Sequence, residues 1–326
     1  IPKCNQQRIH RLVEETILDT DERFITLRHV PLGMGVVIIL WNFPILLAAI
    51  KLSSALLTGN RFIWKPSPHS PNTALKVGEL AARVLPPGVF NVLSGTEDLG
   101  PWLTAHPGIA NVGFTGSVAI GKRVMQACGA TLERVTLELG GNDAAIVRED
   151  VDIADMVPKV YRDDGVYTHG TSLLRHRALY VYEKIYDVFL AALAVFVQTL
   201  KTRGAGDAEA VLGPIQNSMQ YGKLRELYAQ VQRDGWKTAT PSSTSPPSNY
   251  GGFFLEPTVV DSPPEDSRLV QEEQFGPILP VLKWADEDDV GPPVGFGGHK
   301  HSGLGVESGL DGLKWWCNPQ AVWIKN

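Results

Sequence analysis

Cysteine is scarce in this 326-residue chain: Cys4, Cys128 and Cys317 are the full set. Their odd number and wide separation exclude a disulfide framework and a cysteine-built zinc site. They suit a reducing, cytoplasmic compartment. No apolar run is long enough to span a membrane. Positive charge is not in excess, and a net charge of −5 argues against a nucleic-acid partner. The eight histidines show no ligand-type spacing. His299 and His301 are close together, but no further metal-binding residues lie near them. No signal peptide is evident, and the chain opens on Ile1 rather than Met, so the true start is expected upstream. A G-x-G-x-x-G run is also missing, which removes the ordinary dinucleotide fingerprint.

What is present is 44% hydrophobic residues, enough for one large or two ordinary domains. Residues 1–16 read as the end of a polar helix, and residues 17–31 as a strand or hairpin arm. Gly35 to Leu40 is a continuous apolar run, as in a strand buried on both faces. An apolar helix follows Trp41-Asn42-Phe43-Pro44 and ends near Gly59. Arg61 to Lys65 is a strand. Ser70-Pro71 opens a helix, with Ser at the N-cap and Pro at the first helical position, and Pro86-Pro87-Gly88 stops it. Gly88 to Leu93 and Ala110 to Phe114 are strands. Thr115-Gly116-Ser117 opens a helix whose free N–H groups make a phosphate seat.

Val135 to Leu139 is the next buried strand, and Gly140-Gly141 ends it. Glu138 stands at its end, where α/β sheets carry reactive groups, and a fixed carboxylate there can serve as a general base. The plain alternative is a surface Glu at a strand terminus. The β-α alternation through Leu139 predicts a doubly wound sheet with a ligand crevice. A second α/β unit follows. It has strands at Ala144 to Val147, Ala178 to Tyr182, Phe253 to Val260 and Ile278 to Trp284. An apolar helix covers Ile185 to Leu200, and residues 204–222 read as loop with a short helical patch. Ala321 to Lys325 is strand-like.

Six motifs then stand in one order: WNFP at 41–44, KPS at 65–67, FTGS at 114–117 with Gly121, LELGG at 137–141, EEQFGP at 272–277 and FGGHKHSG at 296–303. With them the chain resembles the aldehyde dehydrogenase superfamily over nearly its whole length. The resemblance implies a doubly wound, Rossmann-like cofactor domain plus a shortened α/β catalytic-type domain. The expected division is an N-terminal helix and oligomerisation hairpin (1–33), a cofactor domain (34–139), a truncated catalytic-type domain (140–317) and an oligomerisation strand (318–326). A homodimer with sheet edges paired between subunits is expected.

The resemblance also assigns roles. Asn42 is the amide donor of an oxyanion hole and Glu138 the general base. Trp41, Lys65, Ser67, Ser117, Glu273 and Phe275 form the cofactor-binding set. Within it Lys65 holds the adenosine ribose, Ser117 the phosphates and Glu273 the nicotinamide ribose, while Phe275 packs near the ring. Phe296 lines the substrate mouth. Plain core packing is the competing account of Trp41, Phe43, Phe275 and Phe296. Pro68 stands where many NAD-specific members carry Glu, which leaves NAD or NADP open and admits loss of the cofactor.

Three departures oppose the pattern. The family nucleophile is a cysteine after Gly-Gln-x. The usual spacing from Glu138 lands on Ser172, and alignment from the following strand lands on Leu173, with Gly170 and Thr171 in the places of Gly and Gln. Aldehyde oxidation here needs a thiolate. A serine hydroxyl without a dedicated base is far weaker, and leucine is no nucleophile. The segment before it is rewritten and brings Asp163, Asp164, Tyr167 and His169, which either face water or join Glu138. His169 is the best acid/base candidate among them. Several dozen residues that the family carries are absent between Val290 and Gly291.

The reading that follows is a non-oxidative enzyme acting on a carbonyl-containing small molecule by proton transfer: isomerisation, cyclisation or aldol-type chemistry. The alternatives are a non-catalytic scaffold in an aldehyde dehydrogenase-type oligomer and a weak NAD(P)-dependent dehydrogenase working through Ser172.

Overall fold

The computed structural model describes residues 14–162, 178–204, 206–241, 251–285, 300–304 and 317–325. The chain divides into two units, Ile1–Gly140 with Val294–Asn326, and Gly141–Pro293.

The first unit opens with a hairpin, β1 (Glu14–Asp19) and β2 (Arg23–Pro31), antiparallel and tightened where Thr20 and Arg23 exchange hydrogen bonds. Strand thus begins at Glu14, where a polar helix was expected. β2 also pairs with β13 (Cys317–Lys325), giving a three-stranded sheet in the order β1-β2-β13.

The main sheet starts at β3 (Met34–Ile39), whose Val36, Val37 and Ile39 are buried. Such a strand is apolar on both faces because helices cover both. α1 (Pro44–Leu57) follows, with Pro at its start and Leu47, Ala48, Lys51, Ser54 and Ala55 buried along one stripe. It ends at Gly59, which takes φ +79°, a conformation open to glycine.

β4 (Arg61–Pro66), α2 (Pro71–Ala81), β5 (Phe90–Val92), α3 (Leu99–Thr104), β6 (Asn111–Thr115), α4 (Val118–Gly129) and β7 (Arg134–Glu138) complete the alternation. A short β12 (Gly303–Leu304) joins antiparallel to β7, so the sheet runs β12-β7-β6-β3-β4-β5. β3 through β7 are mutually parallel. The chain moves outward from β3 to β5, then returns to β6 on the other side of β3. The boundary between β3 and β6 is the topological switch point at which such sheets bind ligands. One face packs Val36, Val112, Phe114, Val135 and Leu137 against Leu103, Val124 and Cys128.

The second unit is a four-stranded parallel sheet, ordered β10-β11-β9-β8, from β8 (Ala144–Val147), β9 (Ala178–Tyr182), β10 (Thr258–Asp261) and β11 (Ile278–Trp284). Its helices are α5 (Ile153–Arg162), α6 (Tyr186–Gln198), α7 (Ser218–Arg233) and α8 (Arg268–Gln271). α6 buries Tyr186, Phe189, Leu193 and Val197 against Leu179, Val181 and Val259. The strand expected from Phe253 shortens to Thr258–Asp261, since Pro257 has no N–H to give a ladder.

Candidate active site

Alternation along β6 sends Val112 and Phe114 to one face and Asn111, Gly113 and Thr115 to the other. On β7 the same rule sends Thr136 and Glu138 to the face of Gly113. Gly113 has no side chain there, and the stem of Lys51 from α1 fills the gap: a Cβ on Gly113 would lie 3.6 Å from Lys51 Cδ. Lys51 is 1% exposed, and its Nζ reaches Glu138 Oε2 at 2.9 Å. Thr115 Oγ1 donates to the same oxygen at 2.9 Å. Glu138 keeps 18% of its side-chain surface open. A carboxylate with a buried ammonium and a hydroxyl donating to it is solvated by protein in its charged form.

The backbone around Glu138 is also fixed. Gly116 N donates to Glu138 O at 3.0 Å, which ties the β6–α4 turn to the end of β7. On the other side Gly303 pairs with Glu138 across β12–β7. Gly303 has φ +133°, and a Cβ there would overlap the carbonyl oxygen of Leu137. Only glycine allows this approach.

Trp41 and Asn42 are half-buried in the turn between β3 and α1. They leave the same carboxyl edge of the sheet as Glu138, because β3 and β7 both flank β6 in parallel register. Two strand spacings, roughly 10 Å, separate these strands.

The residues of the first unit expected to bind a cofactor lie along this edge. Lys65 ends β4 at 5% exposure, and Ser67 follows at 8%. Burial pushes the Lys65 ammonium below its ordinary range, and the charge of Glu97 partly restores it. Its one hydrogen bond among the described residues goes to Pro66 O at 3.4 Å, although an ammonium carries three donors. Ser117 is the N-cap of α4 and accepts from Ile120 N. No acidic residue occupies the first turn of that twelve-residue helix, so its partial positive charge is not offset there. A buried ammonium and a helix start, at the ends of strands on either side of β3, fit a phosphate-containing ligand.

In the second unit, Glu273 and Phe275 lie on the loop before β11, both half-buried. Phe275 takes φ +54°, a strained value for an aromatic residue. α7 holds this loop: Gln220 Nε2 donates to Phe275 O at 3.1 Å and to Gln274 O at 3.3 Å, and Gly276 sits against Leu224 where a Cβ would clash.

Residues 3–292 match the family described as the aldehyde dehydrogenase family. The chain belongs to the aldehyde dehydrogenase family. It is 36% identical to aldehyde dehydrogenase LUC3 of Fusarium sp over 359 residues, covering 97% of this chain and 75% of that protein. An aldehyde dehydrogenase of Bacillus cereus in complex with NAD+ superposes with a TM-score of 0.90 at 25% identity, over 98% of this chain and 73% of that one. A structure described as an E. coli NADP dependent enzyme gives a TM-score of 0.91 at 26% identity, over 99% and 76%. These likenesses show the aldehyde dehydrogenase fold, and the chain spans about three quarters of the length of these relatives.

Within this family the cysteines carry particular weight. Cys128 is 1% exposed on the sheet face opposite Glu138. Burial, then the charge of Glu133, push its thiol up to about 12, so it stays protonated and inert. Cys317 is buried too, and burial raises its thiol against the lowering influence of Thr58 and Arg134. His169, Asp163, Asp164, Tyr167, Ser172, Leu173 and Phe296 lie outside the described residues, as does Cys4.

Sequence reasoning missed Lys51 and Thr115. The signal for Lys51 was available: it is the sole charged residue in the run PILLAAIKLSSALL, and a lone charge in an apolar helix needs a partner.

Proposed function

We propose that this aldehyde dehydrogenase-family chain is a proton-transfer enzyme for a carbonyl-containing small molecule, with Glu138 as the base and no net oxidation. The observation that carries the reading is the Lys51–Glu138–Thr115 cluster. A carboxylate is built and held at the ligand edge, while Cys128 and Cys317 are both buried and protonated. Glu138 takes the proton from the carbon beside the carbonyl. The C–H electron pair forms the enolate C=C bond and the C=O π pair moves onto the carbonyl oxygen, which the Asn42 amide receives as an oxyanion. Return of the proton to a different carbon completes an isomerisation; in an aldol-type closure the enolate carbon attacks a second carbonyl, and the alkoxide formed takes the proton back from Glu138. His169 is proposed as the second acid/base group.

The chain is further proposed to bind NAD or NADP. In the first unit Trp41, Lys65, Ser67 and Ser117 would hold it, with Glu273 and Phe275 assigned to the nicotinamide end. When bound, the cofactor offers a hydride acceptor. The fold resemblance and the under-satisfied Lys65 support this assignment. A homodimer is proposed as the assembled form.

The test is α-proton exchange in deuterated buffer, followed by NMR on a panel of aldehydes and ketones without added dinucleotide. Exchange above background is expected, and Glu138→Gln should abolish it. The double variant Lys51→Met/Glu138→Gln should be equally silent, and it leaves no buried charge without a partner. NADH formation from a simple aldehyde, or exchange that survives Glu138→Gln, rejects the reading.

A further inference from the structure

Lys65 and Glu97 form a pair of opposite charges that the described residues do not satisfy. Lys65 is buried at the end of β4 and makes one long hydrogen bond, to Pro66 O at 3.4 Å. Glu97 stands in the loop that follows β5, the strand hydrogen-bonded to β4. Its side chain is exposed and has no hydrogen bond or ion pair among the described residues. The turn that carries Glu97 runs beside the Lys65 side chain. Gly100 N donates to Glu97 O at 3.3 Å, and a Cβ on Gly100 would lie 4.0 Å from Lys65 Cε. The turn carrying Glu97 therefore closes directly over Lys65. The electrostatics agree, since Glu97 is the group whose charge offsets the burial of Lys65.

An ammonium donates hydrogen bonds and accepts none, whereas a carboxylate accepts and donates none. A ligand that satisfies both offers an acceptor and a donor, and a vicinal diol carries the two together. Position 68, one residue past Ser67, is a proline and supplies no such acceptor.

We infer that Glu97, set opposite Lys65, takes a ribose hydroxyl of the bound dinucleotide and makes this chain select NAD over NADP. The inference rests on the cofactor reading above. A 2′-phosphate removes the hydroxyl donor and places its negative charges beside the Glu97 carboxylate. With the free 2′-hydroxyl the same carboxylate gains a hydrogen-bond donor. Overall likeness does not decide the matter, because the NAD+ complex from Bacillus cereus and the NADP dependent enzyme from E. coli superpose equally well.

The experiment is calorimetric titration of the full chain with NAD and with NADP, without carbonyl substrate, for the wild type and Glu97→Gln. Wild type is expected to bind NAD at least tenfold tighter than NADP. Glu97→Gln, at an exposed position that folding does not depend on, should shrink that ratio to threefold or less. Lys65→Met should weaken both dinucleotides. Equal wild-type affinities, preference for NADP, or a ratio unchanged in Glu97→Gln overturns the inference and leaves the cofactor reading standing. Absence of heat with either dinucleotide overturns both.

Discussion

Lys51 and Glu138 meet on a sheet face that Gly113 leaves uncovered. A Cβ on Gly113 would press on Val37 Cγ2 at 3.2 Å and lie in ordinary contact with Lys51 Cδ at 3.6 Å, so glycine gives the lysine stem room beside the strand. The two charges are unequally buried, at 1% and 18%, and this asymmetry sets what mutation does. Glu138→Gln removes the carboxylate that a fully buried ammonium reaches at 2.9 Å, and a loss of about 3 kcal/mol is expected. Lys51→Met leaves a carboxylate that water still reaches, and the loss should be smaller, about 1 to 2 kcal/mol. The double variant should return to within about 1 kcal/mol of wild type, because neither charge is then stranded. Urea midpoints at unchanged m measure all three. Additive losses would mean that the pair is not coupled. The sequence showed Glu138 through its place at a strand end, but not its partner. Lys51 is 87 residues away along the chain, and only the fold brings them together.

At the scale of elements, strands with continuous apolar runs were legible, and Ala144–Val147, Ala178–Tyr182 and Ile278–Trp284 fall where the pattern put them. Helix α7 was not, although Leu224, Leu227, Tyr228 and Val231 repeat at helical spacing behind an Asn217 cap. Only its first residues fall in 204–222, which read as loop with a short helical patch, and the exposed face of the rest is polar. The omission touches the proposed cofactor set, because α7 carries Gln220, which holds the strained Phe275 turn. Ser70 shows a different limit. It occupies the N-cap and Pro71 follows, as expected, yet its hydroxyl makes no cap bond. FGGHKHSG stood out as a motif, but the task of its last glycine appears only in the pairing of Gly303 with Glu138. Gly303→Ala should cost at least about 2 kcal/mol, because both the φ of +133° and the Leu137 carbonyl oppose a Cβ. It should also depress proton exchange beyond what the lost folded fraction explains, since the end of β7 must move. Thermal melts alongside the exchange assay separate the two effects. A variant as stable and as active as wild type would show that β12 does not position the carboxylate.

The whole molecule poses a question that the first unit raises by itself. Its three-stranded sheet leaves β1 at one edge and β13 at the other. On β1 the register breaks between Thr16 and Leu18, so Ile17 is bulged, and Ile17 and Leu18 stand 58% and 39% exposed. Edge strands of monomers are usually protected by charge, proline or brevity. β1 is short and carries Glu14, Glu15 and Asp19, yet its bulge displays the apolar Ile17 and Leu18 rather than hiding them. A second copy of the chain is the simplest cover, because a two-fold axis buries the same edge twice. Light scattering during size exclusion should give twice the mass of one chain at micromolar concentration. Ile17→Lys puts an ammonium on that edge and should weaken self-association at least tenfold. The melting temperature extrapolated to low concentration should not change, since Ile17 packs against little within its own subunit. A wild-type chain that runs as a monomer, or an Ile17→Lys chain that associates as before, would remove this edge as the interface.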